Sequence, residues 1–394
     1  MHKPLRRFVV SALVLTLGVG ALVLTLGKLP VVSPPTSAVA AAAPPRVQPR
    51  VEVLARGLDN PRGLAVRPDG TVLVAEAGTG GKGACLPSPE NPDGQVCLGN
   101  TGAVAEVAPT GVRRVITGLP SVAAKLGRNA IGPSDVWLAD PGTALVSMGL
   151  VNETPRRKEL GPLGASLGTV RSYRLADGSG ASTMVADTAA WEDRVNPDGG
   201  RRDSNPIAVL GLDDGRVAVV DAGGNRMLAV DRQGAISLLA VFPSQEVAAP
   251  PGAGFSPNAR LRVESVPTSV VRGPDGALYV GELGGFPFVQ GAARIWRLVP
   301  GQQPTLYAAG FTNIIDLAFD RQGRLYVLQI SRNGLRSPDK TGVLLRVEPD
   351  GRRTELLSTQ LSAPGGMAFA PDGTLLITNR TTSAGTGEVL KVHV

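Results

Sequence analysis

The stretch PTSVVRGPDGALYVGE, residues 267–282, contains a short apolar run, a tight turn at PDG and a second apolar run. The same arrangement occurs six times, and the glycine that closes each turn is Gly70, Gly142, Gly215, Gly276, Gly323 or Gly373. A proline stands nine residues before the glycine in five of the six copies. Because a repeated supersecondary unit must stack on its neighbours to bury its faces, this self-similarity indicates a repeat fold.

Each copy continues into further β-rich runs, so that it reads as a meander of four antiparallel strands. The last copy has only three runs because the chain ends at Val394, whereas VEVLARGL (51–58) precedes the first copy without a sheet of its own. We therefore predict an all-β, six-bladed β-propeller with four antiparallel strands per blade. The N-terminal strand is expected to complete the last blade, which closes the ring and removes an open sheet edge.

The charge of the chain is concentrated at its N-terminus. The 394 residues have a net charge of +7, but residues 1–50 contain six Lys or Arg and no acid, so 34 basic and 33 acidic groups remain. A nearly neutral body has no electrostatic footprint for a phosphate backbone, so the sequence predicts that the protein does not bind nucleic acid.

The first fifty residues have the pattern of an export segment. A basic start precedes a mostly apolar run at 8–27 and a small-residue run at 37–43. We predict an export signal or N-terminal anchor with a Pro/Ala-rich spacer over 1–50, and a single propeller domain over 51–394. The body is then extracytoplasmic, secreted or periplasmic, and reaches a membrane only through an uncleaved N-terminal segment. In that oxidising location the only two cysteines, Cys85 and Cys97, favour a disulfide.

Loop lengths distinguish the two ends of the predicted ring. The turns between first and second strands and between third and fourth strands are short. The remaining connections include the long segments 78–102, 151–168, 187–205, 243–266 and 284–292. Long loops on a rigid scaffold usually hold the functional groups, so the long-loop end is the predicted functional face.

Polar residues recur at two aligned positions next to this face. Six residues after the turn glycine, where the second strand ends, five of the six copies have a polar residue: Glu76, Asp221, Glu282, Gln329 and Asn379. Just before the proline position, three copies have asparagine: Asn60, Asn205 and Asn313. If these side chains ring the mouth of the central channel, the three acids and the amide oxygens suit Ca²⁺ or another divalent cation. Strand-end Asp and Asn also commonly bind backbone groups of adjoining loops, and that structural alternative stays open.

Phe286 and Phe288 are conspicuous in a chain that is only 4% aromatic. They lie in a predicted functional-face loop, where they can offer an apolar wall to a flat ligand. The alternative is that they pack between the fourth and fifth blades.

Two stretches match catalytic or cofactor-binding motifs but lack the surrounding secondary structure that these motifs require. Gly78, Gly80 and Gly83 match G-x-G-x-x-G without a following helix, so no nucleotide cofactor is expected. Ser166 lies in a G-x-S-x-G match without a strand-to-helix elbow, and the only histidines are His2 and His393. A histidine-dependent triad is thereby excluded at the loop face, so catalysis would have to be assisted by a metal or a carboxylate.

Three stretches, 204–228, 263–288 and 310–330, resemble the ScyD/ScyE family, which is named from the scytonemin pigment clusters. VPTS (266–269) followed by GELGGFPF (281–288) is the most specific part of this resemblance. The resemblance implies an exported NHL-like β-propeller, and some members are assigned to late maturation of an indole-phenol pigment outside the membrane. Gluconolactonase-type propellers are more distant by architecture. Their Glu, Asn and Asp cation site can be imitated by Glu76, Asn205 and Asp221 or Glu282, although the flanking motifs do not match.

The sequence thus predicts an extracytoplasmic propeller, expected to be a monomer, that binds a small molecule at the central funnel. A divalent cation and a role in maturing a secondary metabolite are parts of this hypothesis. The alternative is a non-catalytic NHL-type scaffold that binds a protein or cell-surface partner through its long loops.

Overall fold

The computed structural model of the protein describes residues 49–88, 94–176, 180–197, 199–250, 254–256 and 258–394. They belong to one compact unit that begins at Val47. The predicted export segment, except for its last two residues, lies outside the described residues. None of the helices in the described ranges is long and apolar enough to cross a membrane.

The described chain is almost entirely antiparallel β-structure. Strand β1 (Arg50–Leu58) comes first in sequence and belongs to the last sheet. The first sheet contains β2 (Pro61–Val66), β3 (Val72–Glu76), β4 (Cys85–Pro87), β5 (Gln95–Ala108), β6 (Gly111–Ala124) and β7 (Arg128–Ile131). The second contains β8 (Pro133–Asp140), β9 (Thr143–Met148), β10 (Thr169–Arg174) and β11 (Ser182–Asp187). The third contains β12 (Pro206–Gly211), β13 (Val217–Asp221), β14 (Arg226–Val230) and β15 (Ile236–Val241).

A two-stranded ribbon of β16 (Gln245–Ala248) and β17 (Arg260–Val263) precedes the remaining sheets. The fourth sheet contains β18 (Pro267–Arg272), β19 (Leu278–Glu282), β20 (Ala293–Leu298) and β21 (Thr305–Phe311). The fifth contains β22 (Ile314–Phe319), β23 (Leu325–Gln329), β24 (Val343–Val347) and β25 (Arg353–Leu357). The sixth contains β26 (Met367–Phe369), β27 (Leu375–Asn379) and β28 (Gly387–His393), with β1 at its outer edge. The all-β prediction is confirmed.

The helical segments are short. In the described ranges they are two 3₁₀ segments at Lys125–Gly127 and Thr154–Leu160, α1 (Gly161–Gly164) and α2 (Thr188–Val195). The Asp187 side chain caps α2 by accepting a hydrogen bond of 2.8 Å from the Ala190 backbone N–H.

The repeated turn has a local cause. In PDG at 68–70, Asp69 Oδ1 accepts a hydrogen bond from the backbone N–H of Thr71, and Gly70 adopts a φ of +86°. A left-handed φ is available to glycine without strain, which explains why glycine recurs there. Gly142 departs from this pattern, since its turn is made by Asp140 Oδ1, which accepts from the Gly142 N–H.

Apolar side chains pack between each sheet and the next. One buried cluster joins each pair of neighbouring sheets in chain order. A further cluster, with Leu58, Val74 and Leu376, joins the sixth sheet to the first. The first strands follow the same order, since β2 contacts β8, and contacts continue through β12, β18, β22 and β26 back to β2. The second strands lie between their neighbours and are buried along most of their length.

The two ends of the domain are joined by backbone hydrogen bonding. Strand β1 pairs antiparallel with β28, and Val51 lies opposite Val392 in the register. The predicted pairing of the N-terminal strand with the last strand is confirmed. Each of the six sheets nevertheless stays open at its own edges, since none of them closes on itself.

Candidate functional site: the cavity between the first strands

The first strands of all six sheets line one cavity of about 1590 Å³. Its wall includes residues from both ends of these strands, for example Arg62 and Val66 of β2 and Ile207 and Leu210 of β12. The cavity therefore follows the strands along their length. Its wall is mainly apolar, with Ile207, Ile315 and Phe319 among its half-buried members.

One opening of the cavity, here called the mouth, is formed by the start of β7, which precedes the first strand β8, and by loops that follow second strands. Its residues are Arg128, Asn129, Phe286, Phe288, Leu335, Arg336, Lys340, Thr382 and Ser383. Phe286 and Phe288 come from the loop between β19 and β20, and their rings contact edge-to-face with centroids 6.2 Å apart. Phe286 is 62% exposed, so much of its ring remains accessible at the mouth.

Two carboxyl groups that the sequence analysis did not single out face the cavity. Asp135 is the third residue of β8 and Asp316 the third residue of β22. Asp135 accepts backbone N–H bonds from Val136 (2.9 Å) and from Val209 of the next sheet (3.0 Å). Asp316 likewise accepts from Leu317 (2.8 Å) and from Met367 of the next sheet (2.6 Å). Both acids therefore join neighbouring first strands as well as lining the cavity.

The protonation of these two groups is unusual. Burial raises the pKa of Asp135 to about 8, and the nearby charge of Asp316 adds to the increase. Burial also raises the pKa of Asp316 to about 7. The hydrogen bonds from backbone N–H groups oppose both increases without cancelling them. Near neutral pH a substantial fraction of each carboxyl is uncharged, and an uncharged carboxyl can donate a hydrogen bond into the cavity.

These raised pKa values predict a loss of stability with rising pH. Because the unfolded chain releases these protons near pH 3.8, the native state holds more protons between about pH 4 and 8. The free energy of unfolding should then fall as pH rises through that window. Thermal melts from pH 5 to 9 should show a smaller decline for Asp316→Asn than for the wild type. Asp213→Asn, which alters an exposed acid, is the control, and an unchanged slope in Asp316→Asn would contradict the assignment.

The asparagines predicted as ligand residues mostly hold loops and neighbouring sheets. Asn60 Nδ2 donates to the carbonyls of Gly78 and Gly127, both at 2.8 Å. Asn313 Nδ2 donates to the Leu283 carbonyl at 2.8 Å, and its Oδ1 accepts from the Leu335 N–H. Both residues are buried and have a left-handed φ, of 49° and 47°, which asparagine tolerates better than most residues. Asn205 is the one of the three that lines the cavity, and its Oδ1 also accepts from the Leu150 N–H at 3.2 Å.

The polar residues at the ends of the second strands share a structural task. Four of them accept a backbone N–H from the segment that leads into the first strand of the same sheet. The pairs are Glu76 with Asp59, Asp221 with Asn205, Gln329 with Thr312, and Asn379 with Ser362. None of these four side chains lines the cavity. The recurrence of polar residues at this position is explained by the repeated need to bind that entering segment.

The three carboxylates predicted as metal ligands are each paired with an arginine instead of with one another. Glu76 bonds Arg114 through two 2.8 Å contacts, and Asp221 bonds Arg226 at 2.7 Å. Glu282 pairs with Arg294 and also accepts from Ser265 at 2.7 Å. Within the described part of the chain, no three His, Cys, Asp or Glu side chains come together in a way that could hold a metal ion. The residues do not fit the predicted divalent cation, because a guanidinium already neutralises each carboxylate.

The predicted disulfide is present. Cys85 of β4 lies directly opposite Cys97 of β5, and their sulfurs are joined at 2.01 Å. The bond fixes the hairpin of these two strands.

Comparison with known proteins gives a family match for part of the chain. Residues 194–386, just under half of the sequence, match the family model described as the SMP-30/Gluconolactonase/LRE-like region. Comparison with curated proteins gives no match.

Three solved structures resemble the chain as a whole. A structure titled "Crystal structure of glucose dehydrogenase" has 15% sequence identity and a TM-score of 0.53, and the match covers 88% of this chain and all of that one. Another "glucose dehydrogenase" has 16% identity and a TM-score of 0.51 over the same shares of the two chains. A protein of unknown function from Bacteroides thetaiotaomicron has 11% identity and a TM-score of 0.52, with 88% of this chain and 76% of that one covered. At such identities the likeness shows the fold alone, which is of the β-propeller type.

Proposed function

We propose that the protein is a six-bladed β-propeller that binds a small molecule in the cavity between its first strands. The blade count is supported by the six sheets of four or more strands in the described residues, by the apolar clusters between neighbouring sheets, and by the pairing of β1 with β28. Stacked blades place their first strands around a common axis, where propellers have a central channel.

The observation that supports binding most strongly is the composition of the cavity. It is concave, about 1590 Å³ in volume and more apolar than polar, and its wall includes polar groups such as Asp135, Asp316 and Asn205. Small-molecule sites combine an apolar wall with a small number of placed polar groups in this way. The similarity of residues 194–386 to the gluconolactonase-like family also favours a small-molecule ligand over a macromolecular one.

We propose further that the protein acts outside the cytoplasm. The basic and apolar pattern of residues 1–50 supports export, and the Cys85–Cys97 disulfide is of a kind that persists in oxidising compartments. Together with the resemblance to the ScyD/ScyE family, this location favours a late step in the maturation of an exported metabolite. The protein binds that metabolite whether or not it alters it.

Filling the cavity should abolish binding. Ile315, a half-buried cavity residue of β22, is replaced by tryptophan, and the control is Leu238→Trp on the exposed outer strand β15. With naphthol and naphthalene carboxylate as probes, calorimetry and ligand-observed NMR should show affinity at least about tenfold lower for Ile315→Trp, because the added ring occupies the binding volume. Leu238→Trp should bind as the wild type does. Equal affinities of the wild type and both variants for the probes would show that the cavity is not the binding site. That result would favour the scaffold alternative, in which the long loops bind the partner.

A further inference from the structure

The charged residues that line the cavity are unevenly distributed. Arg128, Arg336 and Lys340 lie at the mouth and Arg62 lies at the adjoining end of β2. Among the described residues that line the cavity, Asp135 and Asp316 are the only acidic ones. The mouth itself therefore has basic side chains and no acid among its described residues.

The basic side chains at the mouth form no ion pairs with the described residues. Arg128 is exposed, and neither it nor Arg336 forms an ion pair with any described residue. Lys340 Nζ donates only to the backbone carbonyls of Leu335 (3.3 Å) and Ser337 (3.1 Å) among the bonds of the described residues. Four arginines in or beside the short turns, Arg216, Arg297, Arg324 and Arg352, each pair with an aspartate instead.

An aromatic surface adjoins these cations. The Arg336 guanidinium lies 5.4 Å from the centroid of the Phe286 ring, and Phe286 in turn contacts Phe288. A flat apolar group that packs on Phe286 is thus within reach of a guanidinium, which binds carboxylate, sulfonate or phosphate oxygens through planar paired N–H donors.

We propose that the ligand is an anionic small molecule with a flat apolar body, an aromatic carboxylate being the simplest case. Its anionic group is bound at the mouth by Arg128, Arg336 and Lys340, and its ring system packs on Phe286 and Phe288 and enters the cavity. This inference rests on the proposed function and specifies the chemical class of its ligand.

The two cavity acids are compatible with such a ligand. Because their pKa values are raised to about 8 and about 7, a large fraction of Asp135 and about half of Asp316 are uncharged at neutral pH, so the two groups repel an anion less than two ionised carboxylates would. In both residues, each carboxyl oxygen accepts one backbone N–H. When the carboxyl is protonated, its O–H can donate to an uncharged acceptor of the ligand inside the cavity, such as a carbonyl or ether oxygen.

Three probes with the same ring system and different charge test the inference on the full chain. They are naphthalene carboxylate, naphthol and naphthylmethylammonium, measured by calorimetry at pH 6.5 and low ionic strength. The carboxylate should bind at least about tenfold more tightly than the ammonium, and its affinity should fall as salt is added, because salt screens charges at an open mouth. The double variant Arg336→Gln with Lys340→Gln should lose about tenfold in affinity for the carboxylate and bind naphthol as before.

The matched control is Arg297→Gln with Arg352→Gln, which also removes two positive charges, but from the short-turn end of the strands. It should leave the affinity for the carboxylate within about twofold of the wild type, since both arginines lie at the opposite end of the strands and already pair with Asp275 and Asp350. Equal affinities for the three probes, with binding still lost in Ile315→Trp, would overturn the inference and leave the proposed cavity site standing. Binding that Ile315→Trp does not reduce, or no binding of any probe, would contradict both.

Discussion

Replacing Arg226 with methionine is expected to lower the free energy of unfolding by roughly 3–5 kcal/mol, as for other buried ion pairs that lose one partner. Arg226 is fully buried and bonds two buried carboxylates, Glu192 of α2 and Asp221 of β13. Its guanidinium also lies 5.0 Å from the centroid of the Trp191 ring. Methionine fills a similar space but leaves two acids without their cation, and this uncompensated charge is the main cause of the loss.

The control for this variant is Arg216→Met in the same sheet. Arg216 pairs with Asp214 in a turn where the two side chains are 34% and 51% exposed. Such exposed pairs contribute about 0–1 kcal/mol. Chemical unfolding of the two variants measures the difference, and a loss in Arg226→Met no greater than that in Arg216→Met would show that the buried triad is not what holds α2 to the third sheet.

A chain that lacks β1 is expected not to fold cooperatively. Without residues 50–58, β28 becomes an exposed edge, and the apolar cluster between the sixth and first sheets loses Leu58 and Ala55. Loss of one fully buried leucine alone costs about 2–5 kcal/mol, against a total stability of about 5–15 kcal/mol for typical domains. An unpaired, largely apolar edge strand also promotes aggregation.

The matched control begins at Val47 and keeps β1 whole. It should melt in a single transition and elute as a compact monomer, whereas the shorter chain should elute as aggregate or show no transition. Equal melting temperatures for the two chains would mean that pairing of the chain ends does not hold the sheets together.

The architecture could be predicted to a large extent because its cause is local and repeated. Five of the six turn glycines mark a φ that other residues adopt with strain, and the missing fourth run of the last copy indicated a partner for the N-terminal strand. Residue pairing across the sheets then follows from the alternation of apolar runs and turns.

The cavity residues were only partly predictable. Asp135 and Asp316 stand seven residues before their turn glycines, and the other four copies have Gly63, Ala208, Ser269 and Gly366 there. Aligning the six copies on their turn glycines also aligns this position. An acid in only two of the six copies, however, does not form a recognisable repeat. The basic mouth residues come from β7, which the other sheets lack, and from the loop after β23, so no alignment on the turns superimposes them.

The arginine partners of the predicted metal ligands could not be read from the sequence for a related reason. Acids at the ends of second strands recur at a fixed spacing, whereas their arginine partners do not: Arg226 follows Asp221 by 5 residues, Arg294 follows Glu282 by 12, and Arg114 follows Glu76 by 38. The carboxylates were therefore recognisable in the sequence, but the arginines that pair with them were not.

The central claim is that the cavity between the first strands is the binding site. A crystal structure of the protein soaked with naphthalene carboxylate tests it most directly. The account predicts density for the ring system against Phe286 and Phe288, directed toward Ile207 and Ile315, with the carboxylate beside Arg336 and Lys340. Density confined to the outer strands or the Cys85–Cys97 hairpin, with the cavity holding only water, would contradict it.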